Sequence, residues 1–287
     1  MEYDPIKRSL GNFFNRTPSA RKLFYRLLDT LLLRTWHVKK ALRKYAKSHS
    51  GQAVDFLDAG SGFGQYSYHV AKNHPGWKLL AVDIKTDQIQ DCRTFFKKIG
   101  FDNVEFEYAD LTKFVRGNAF DLVLSVDVME HIEEDVQVFK NLYQSMKKDG
   151  LLIISTPSDQ GGSDVHDHHK SGNYENDGSA SFVDEHVRDG YNIDEIQEKL
   201  KEAGFSLTEA RYTYGWPGKI SWRLSMKYPI LMLNTSKVFF VILPFYYLLT
   251  YWFALLMNVL DVKLKYNTGT GLLVKAWKQE GEVRDEW

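Results

Sequence analysis

The chain has 287 residues, of which 44% are hydrophobic and 26% are charged, a composition typical of one elaborated globular domain or two small ones. Its 7 prolines and 20 glycines exclude a collagenous, linker-like or broadly disordered chain, and a single cysteine excludes an internal disulfide framework. The net charge of zero conceals an asymmetry, because residues 1–50 carry 12 Lys and Arg against 3 Asp and Glu, whereas residues 101–200 carry 8 against 22. This asymmetry indicates either charge pairing within the fold or a basic face for anionic lipid.

The predicted elements begin with basic helices and continue as an alternation of strands and helices. Residues 18–48 lack strand-like alternation and predict one or two amphipathic helices. Five short apolar runs then predict strands over 54–60, 77–83, 103–110, 120–127 and 150–157. Helices are predicted between several of them, over 64–73, 86–98 and 133–147. This order predicts a parallel sheet covered by helices on both faces.

Residues 158–190 form a long polar segment rich in Gly, Ser, Asp and His. A connection of this length inside a compact domain is usually functional or disordered. Its clustered histidines lack the paired cysteines or the helical spacing of a zinc site, so a solvated lid is the favoured interpretation of His166, His168 and His169. A helix over 192–203 that ends at Gly204 then follows.

Two further strands are predicted, over 205–215 and 269–277, and residues 216–268 separate them. This insertion contains an apolar run without a charge, 238–260, that is long enough to span a membrane. The strands on either side should share one sheet and therefore one side of any membrane, which excludes a single crossing. Two interpretations remain open, namely a monotopic hairpin in one leaflet and a helical cover buried on the protein or in a homodimer. Interfacial Trp and Tyr residues and flanking lysines favour membrane contact.

The segment DAGSGFG, residues 58–64, directly follows the first predicted strand and opens a helix. Its three alternate glycines let the backbone turn tightly and approach a ligand closely. Asp83 ends the second strand, where a carboxylate can accept hydrogen bonds from both hydroxyls of a ribose. Asp110 ends the third strand, at the same carboxyl edge of the sheet. Ligands of open α/β sheets bind at that edge.

The GxGxG spacing, the acid two positions before it and the acids after the second and third strands together resemble the class I S-adenosylmethionine-dependent methyltransferases. The resemblance covers about 50–215 and 269–279. It implies an α/β fold with a doubly wound, mostly parallel seven-stranded Rossmann-like sheet and an apolar helical insertion between the last two strands. It also implies S-adenosyl-L-methionine as the cofactor and S-adenosyl-L-homocysteine as its product.

The resemblance assigns the cofactor to residues at the carboxyl edge of the sheet. These positions are Asp58, Gly60, Ser61, Gly62, Gly64, Asp83, Ile84, Asp110, Leu111, Ser125 and Val126. By position, Asp58 and Gly60 correspond to the methionine end of the cofactor. Asp83 corresponds to its ribose and Asp110 to its adenine amino group.

The segment SVDVMEHI, residues 125–132, is similar to the ubiquinone-biosynthesis-type small-molecule O-methyltransferases. In those enzymes a related segment is associated with a divalent metal, and the corresponding residues here are Asp127, Glu130 and His131. A divalent cation is left as an open alternative and is not expected, because acids also suit a helix N-terminus. The resemblance implies that His131 is the proton acceptor near the substrate. His186, the second candidate catalytic residue, begins a segment similar to the one that leads into the family's sixth strand, and either faces the pocket or fixes the loop.

The sequence therefore predicts four parts. Basic N-terminal helices, 1–50, cover the active site, and a methyltransferase core comprises 51–215 and 269–279. The apolar insertion is 216–268, and 280–287 form a tail.

The predicted function is methylation of a lipophilic small molecule, with O-methylation at a membrane surface as the leading expectation. The expected location is the cytoplasm, with peripheral or monotopic association at the inner face of the membrane, because the N-terminus lacks a signal-peptide core. Two alternatives stay open: a soluble small-molecule methyltransferase whose insertion mediates dimerisation, and a non-catalytic cofactor-binding membrane or partner anchor. No nucleic-acid partner is expected, because no binding motif accompanies the basic segments.

Overall fold

The computed structural model describes residues 17–161, 187–236 and 238–279. Seven strands lie in these ranges: β1 Asp55–Ala59, β2 Lys78–Asp83, β3 Val104–Tyr108, β4 Phe120–Val126, β5 Met146–Pro157, β6 Leu207–Thr213 and β7 Gly271–Trp277. They form one sheet in the order β3-β2-β1-β4-β5-β7-β6. The first five strands pair in parallel, and β7 lies antiparallel between β5 and β6. The predicted seven-stranded, mostly parallel, doubly wound sheet is confirmed.

The helices of the described ranges outside the insertion lie where the sequence predicts them, with small shifts at their ends, whereas the bounds of those inside the insertion are not among the predictions. They are α1 Pro18–Leu31, α2 Leu33–Ser48, α3 Gln65–Asn73, α4 Thr86–Lys98, α5 Asp135–Ser145, α6 Ile193–Glu202, α7 Trp216–Trp222, α8 Tyr228–Thr235 and α9 Phe239–Lys263. A short 3₁₀ turn covers Met129–His131, and a π-helical turn, Arg223–Lys227, joins α7 to α8. The predicted N-terminal helical segment is two helices because Leu32 between them is extended, with φ −91° and ψ 109°.

Strand β5 begins at Met146, four residues before the predicted start at 150. Lys147 in this extension donates from Nζ to Asp55 Oδ2 at 2.6 Å and to Asp121 Oδ2 at 2.8 Å. The two acids stand at the amino ends of β1 and β4. These ion pairs tie the extension of β5 to the starts of β1 and β4. Because the extension is polar, a search for apolar runs does not detect it.

Each face of the sheet is covered by one hydrophobic cluster. On one face α5 and α6 pack through residues such as Phe139 and Leu200. On the other face α2, α3 and α4 pack through residues such as Leu42, Val70 and Phe96. α2 therefore covers a face of the sheet, and the preceding α1 lies beside the turn between β1 and α3.

The insertion is a helical hairpin attached at the carboxyl edge of the sheet. Its attachment points, Thr213 and Gly271, face each other in the β6–β7 ladder. α7, the π turn and α8 run as one arm, and α9 returns along it. Within the described ranges one segment is long and apolar enough to cross a membrane, Val241–Lys263, with a mean hydropathy of 1.5 and only 17% of its most apolar window buried. Most of this window is therefore not buried by the described part of the chain. Membrane contact and burial in a homodimer both stay open.

Candidate functional site

The turn between β1 and α3 can be built only with glycine at its first position. Gly60 has φ +85°, and a Cβ there would lie 2.3 Å from Cγ2 of Val128. The backbone N–H groups of Gly60 and Ser61 both donate to the carbonyl of Val82 at 2.9 Å. These bonds fix the turn against the end of β2.

Asp83 connects the glycine turn to the start of α4. Its Oδ2 accepts a hydrogen bond from the backbone N–H of Gly62 at 2.8 Å, and its Oδ1 accepts one from the backbone N–H of Lys85 at 2.8 Å. Both bonds orient the carboxylate at the end of β2. This is the position that the resemblance assigns to the ribose of the cofactor.

Asp58 lies buried beneath the turn. Its Oδ2 accepts hydrogen bonds from the backbone N–H of Ser67 at 3.1 Å and from the Ser67 hydroxyl at 2.6 Å. Burial raises the pKa of Asp58 to about 6, while the bonds from Ser67 act in the opposite direction. A cationic group bound beside this carboxyl would favour its ionised form. The site thus suits the ammonium group of an amino acid.

The other predicted cofactor positions differ in exposure. Asp110 accepts hydrogen bonds at Oδ1 from the backbone N–H and the hydroxyl of Thr112, at 2.9 and 2.7 Å, and these bonds lower its pKa. Ile84 is 59% exposed at this edge. Leu111 belongs to the hydrophobic core, and Val126 packs against the core of the opposite face.

Two buried hydroxyls at this edge have no hydrogen-bond partner among the described residues, Ser61 Oγ and Ser125 Oγ. Buried polar atoms are normally paired, so unpaired hydroxyls beside a glycine turn fit a polar ligand that supplies the partners. Together with Asp58 and Asp83 they match the polar groups of S-adenosylmethionine, which carries an amino-acid end and a ribose. The residues present therefore fit this cofactor.

The segment after β4 does not assemble a cation site. Asp127, with φ +52°, forms an ion pair with Arg34 of α2. Glu130 is buried and accepts a hydrogen bond from the Thr156 hydroxyl at 3.1 Å, and burial raises its pKa. His131 is exposed on the 3₁₀ turn. Across the described ranges no three His, Cys, Asp or Glu residues converge as metal ligands. One of these three side chains is ion-paired, one is buried and one is exposed. The described structure therefore does not support the alternative of a metal on them.

Several predicted residues lie outside the described ranges. They are His186, the second predicted catalytic residue, and the clustered histidines His166, His168 and His169. Their assignments remain predictions.

Sequence reasoning missed two residues of α1 that contact the glycine turn. Tyr25 Oη donates to the carbonyl of Phe63 at 2.5 Å, and Arg21 Nη2 donates to the same oxygen at 2.9 Å. Arg21 also donates from Nη1 to the carbonyl of Asp91 in α4 at 3.2 Å. Both side chains are buried, and Arg21 Nε donates to Tyr25 Oη at 2.8 Å. In the sequence, the signal for these contacts is a basic residue and a tyrosine four positions apart on one face of the predicted helix.

The strand order, the glycine turn and the acids at the ends of β2 and β3 are those of the class I S-adenosylmethionine-dependent methyltransferase fold. Residues 50–204 match the family described as a methyltransferase domain, and the chain belongs to that family.

Relatives and solved structures agree with this assignment. A phosphoethanolamine N-methyltransferase 1 of Zea mays is 28% identical over 158 residues, 54% of this chain and 28% of that enzyme. A ubiquinone biosynthesis O-methyltransferase of Rickettsia canadensis is 27% identical over 103 residues, 36% of this chain and 42% of that enzyme. The matched region thus spans less than half of each relative.

Among solved structures, phosphoethanolamine N-methyltransferase 2 of Haemonchus contortus in complex with S-adenosyl-L-methionine has a TM-score of 0.59 at 18% identity, covering 94% of this chain and 60% of that one. A putative sarcosine dimethylglycine methyltransferase of Galdieria sulphuraria has a TM-score of 0.56 at 16% identity, covering 86% of each chain. At these identities the likeness shows the shared fold.

Proposed function

We propose that this enzyme methylates a lipophilic small molecule at a hydroxyl oxygen, at the surface of a membrane. The observation that carries the proposal is the attachment of the exposed, apolar α9 hairpin at the same sheet edge as the cofactor residues. S-adenosylmethionine supplies an activated sulfonium methyl group when bound. The tasks left to this chain are to hold the cofactor, align the acceptor oxygen and remove its proton.

His131 is the proposed proton acceptor. It follows β4 on the carboxyl edge, six residues after Ser125, and its exposed imidazole is accessible to an acceptor. A histidine suits this task because its imidazole nitrogen can accept a proton and release it again. His186, outside the described ranges, is the second proposed catalytic residue.

Side chains of α2, α3 and the segment after β6 pair beside Asp127, at the end of β4. Arg34 in α2 pairs with Asp127, and its backbone N–H donates to Tyr214 Oη at 2.9 Å. The hydroxyl of Tyr66 lies 3.4 Å from Thr35 Oγ1. Hydrogen-bonding groups beside the end of β4 suit an acceptor that carries a reactive oxygen.

The proposed location is the cytoplasmic face of the membrane. An anionic inner leaflet attracts basic segments, and the exposed Lys219 and Arg223 of the insertion fit such a surface. The lone Cys92 is buried, which suits a reducing compartment.

Turnover tests the proposal directly. Production of S-adenosylhomocysteine is measured with lipid, quinone, phenol, polyene and amine extracts, with and without vesicles. His131→Ala should lower turnover by about 10²-fold or more while leaving S-adenosylhomocysteine affinity unchanged. His74→Ala, which removes a histidine stacked on Trp77, is the matched control. Absence of turnover with every extract would support the non-catalytic anchor instead, and turnover only with water-soluble acceptors would support the soluble enzyme.

A further inference from the structure

One face of α9 is an apolar stripe that the described part of the chain leaves uncovered. Its members, all large and exposed, are Val238 at the N-cap and, within the helix, Val241, Ile242, Phe245, Leu248, Leu249, Trp252, Phe253 and Leu256. At 100° per residue they fall within an arc of about 140°. Exposure reaches 80% at Leu249 and 70% at Trp252. We call this set the α9 stripe.

The opposite face of α9 is fixed to the protein by polar contacts. Tyr251 Oη donates to the carbonyl of Thr30 in α1 at 3.0 Å. Asp261 accepts hydrogen bonds from the backbone N–H groups of Tyr214 at 3.1 Å and Gly218 at 3.0 Å. The helix cannot rotate its stripe inward without breaking these bonds. These hydrogen bonds therefore keep the α9 stripe facing away from the rest of the protein.

The hairpin also satisfies its own backbone where a proline disrupts it. Pro229 has no N–H and so cannot donate the helical hydrogen bond to the carbonyl of Ser225, one turn before it. Tyr247 Oη donates to the carbonyl of Ser225 at 2.7 Å, and Tyr246 Oη donates to that of Leu224 at 2.8 Å. Hydrocarbon offers no water to pair such groups, so internal pairing suits a segment that contacts lipid.

We infer that α9 lies in the plane of an anionic bilayer, with the α9 stripe immersed in one leaflet, and does not enter the leaflet tip first. From Val238 to Leu256 the stripe is about 27 Å long at 1.5 Å per residue. The hydrocarbon of a single leaflet is only about 15 Å deep, half of the full core. In-plane contact covers the whole stripe, and helices that lie this way bury their apolar face by about 5–10 Å. This inference rests on the proposed function and specifies its membrane partner.

Charge favours lipid over a second copy of the chain. Lys219 and Arg223 on the neighbouring arm, and Lys263 and Lys265 at the end of α9, are exposed. The one acid of the hairpin, Asp261, is buried and hydrogen-bonded to the protein. A two-fold interface through the stripe would bring two basic rims together, whereas anionic headgroups complement them.

In-plane docking also orients the active site. The hairpin leaves from Thr213 and returns at Gly271, both at the carboxyl edge of the sheet. The cofactor residues Asp58 and Asp83 lie at the same edge, because β1 and β2 are parallel to each other. That edge is therefore held near the membrane, where the acceptor is taken directly from the lipid phase.

Flotation with vesicles of phosphatidylcholine and phosphatidylserine tests the docking surface. Phe245→Glu and Leu249→Glu replace side chains that are 66% and 80% exposed, so folding is retained. Each should weaken vesicle binding by about tenfold or more, because a charge is moved into hydrocarbon. Val115→Glu, at an exposed apolar site that is 45% accessible and outside the hairpin, is the matched control. Equal flotation of all three variants and the wild type would overturn the inference.

Depth-dependent quenching tests the orientation. Environment-sensitive labels are placed at Val241→Cys, Leu249→Cys and Leu256→Cys, one variant at a time. The native Cys92 does not compete for label, because it is buried and burial raises its pKa to about 12. Spin-labelled lipids should quench the three labels to the same shallow depth. A gradient that is deepest at position 241 would mean tip-first entry and would overturn the in-plane arrangement.

Two further outcomes separate this inference from the proposed function. Unquenched labels together with a concentration-dependent dimer in solution would assign the stripe to a second copy and overturn lipid docking. A protein that docks with all three labels at one depth, yet produces no S-adenosylhomocysteine from any extract, would support the docking and contradict the catalytic proposal alone.

Discussion

Asp261 near the end of α9 accepts a hydrogen bond from Nε2 of His37 in α2 at 2.8 Å, across 224 residues of sequence. On the other side of the same ring, Arg211 Nη2 of β6 lies 3.0 Å from Nδ1. A guanidinium can only donate, so Nδ1 accepts and Nε2 carries the proton of a neutral imidazole. The line from Arg211 through His37 to Asp261 joins the sheet, the N-terminal helices and the hairpin. Opposite charges at its two ends offset each other in a buried setting.

The neutral state of His37 predicts a loss of stability in mild acid. Burial lowers the pKa of His37 below its ordinary 6.5 in the folded chain. The unfolded chain therefore binds more protons below about pH 6.5, and stability is lost as the pH falls towards the folded pKa. His37→Gln retains a donor to Asp261 but does not titrate. The loss of unfolding free energy in acid should therefore be smaller in this variant, by about 1.4 kcal/mol for each unit by which burial lowers the pKa of His37.

Urea unfolding at pH 7 and pH 5 measures this effect. His69, whose pKa burial lowers to about 4, is present in both proteins and accounts for a remaining slope. If His37→Gln shows the same decline as the wild type, the imidazole is not held neutral by its burial.

Asp58 predicts a pH dependence of cofactor binding. Burial raises its pKa to about 6, and only the ionised carboxylate pairs with the ammonium of S-adenosylhomocysteine. Affinity should fall by up to about tenfold per pH unit below that value. Asp58→Asn should bind more weakly at pH 8 and lose the pH dependence. Calorimetry between pH 5 and 8 measures both, with Asp110→Asn as the control that keeps the slope, because hydrogen bonds lower the pKa of Asp110.

Gly60→Ala should damage the turn in two separable ways. The residue has φ +85°, which costs an alanine about 1–2 kcal/mol, and its Cβ would lie 2.3 Å from Val128. Gly100→Ala, with φ +71° and no atom within 4 Å of the added Cβ, should show the conformational cost alone. Adding Val128→Ala to Gly60→Ala should relieve only the clash. Urea unfolding measures the stability of each variant, and calorimetry measures its affinity for S-adenosylhomocysteine. Equal losses of stability in Gly60→Ala and Gly100→Ala would contradict the steric argument.

The sheet and the cofactor edge are predictable from sequence because their signals are local. Apolar runs such as 77–83 mark strands, and alternate glycines after the first run mark the turn. The acids at the ends of these runs need only the rule that parallel strands share a carboxyl edge. Boundaries fail where a polar contact extends a strand, as Lys147 does in β5 by bridging Asp55 and Asp121.

Contacts between distant segments are not encoded in any local pattern. The apolar run 238–260 predicts a helix, but which face is exposed depends on where Tyr251 and Asp261 find their partners. The same holds for Asp127, which the motif alone offers as a metal ligand and which α2 pairs with Arg34. Such choices depend on the tertiary arrangement and require the structure.

The contact between α1 and the glycine turn yields a prediction that separates positioning from stability. Tyr25 Oη donates to the carbonyl of Phe63 at 2.5 Å, whereas Tyr45 Oη donates to that of Asp121 at 3.4 Å, away from the site. Both tyrosines are buried, so Tyr25→Phe and Tyr45→Phe should each lose about 0.5–1.5 kcal/mol of unfolding free energy.

Only Tyr25→Phe should also weaken S-adenosylhomocysteine binding, by up to about tenfold, because Phe63 lies between the last two glycines of the turn. The second donor, Arg21, still holds the Phe63 carbonyl in this variant and limits the loss. Urea unfolding and calorimetry on both variants make the comparison. Weaker binding in both, in proportion to stability, would mean that α1 stabilises the fold without positioning the turn. Unchanged binding in Tyr25→Phe would contradict the positioning role outright.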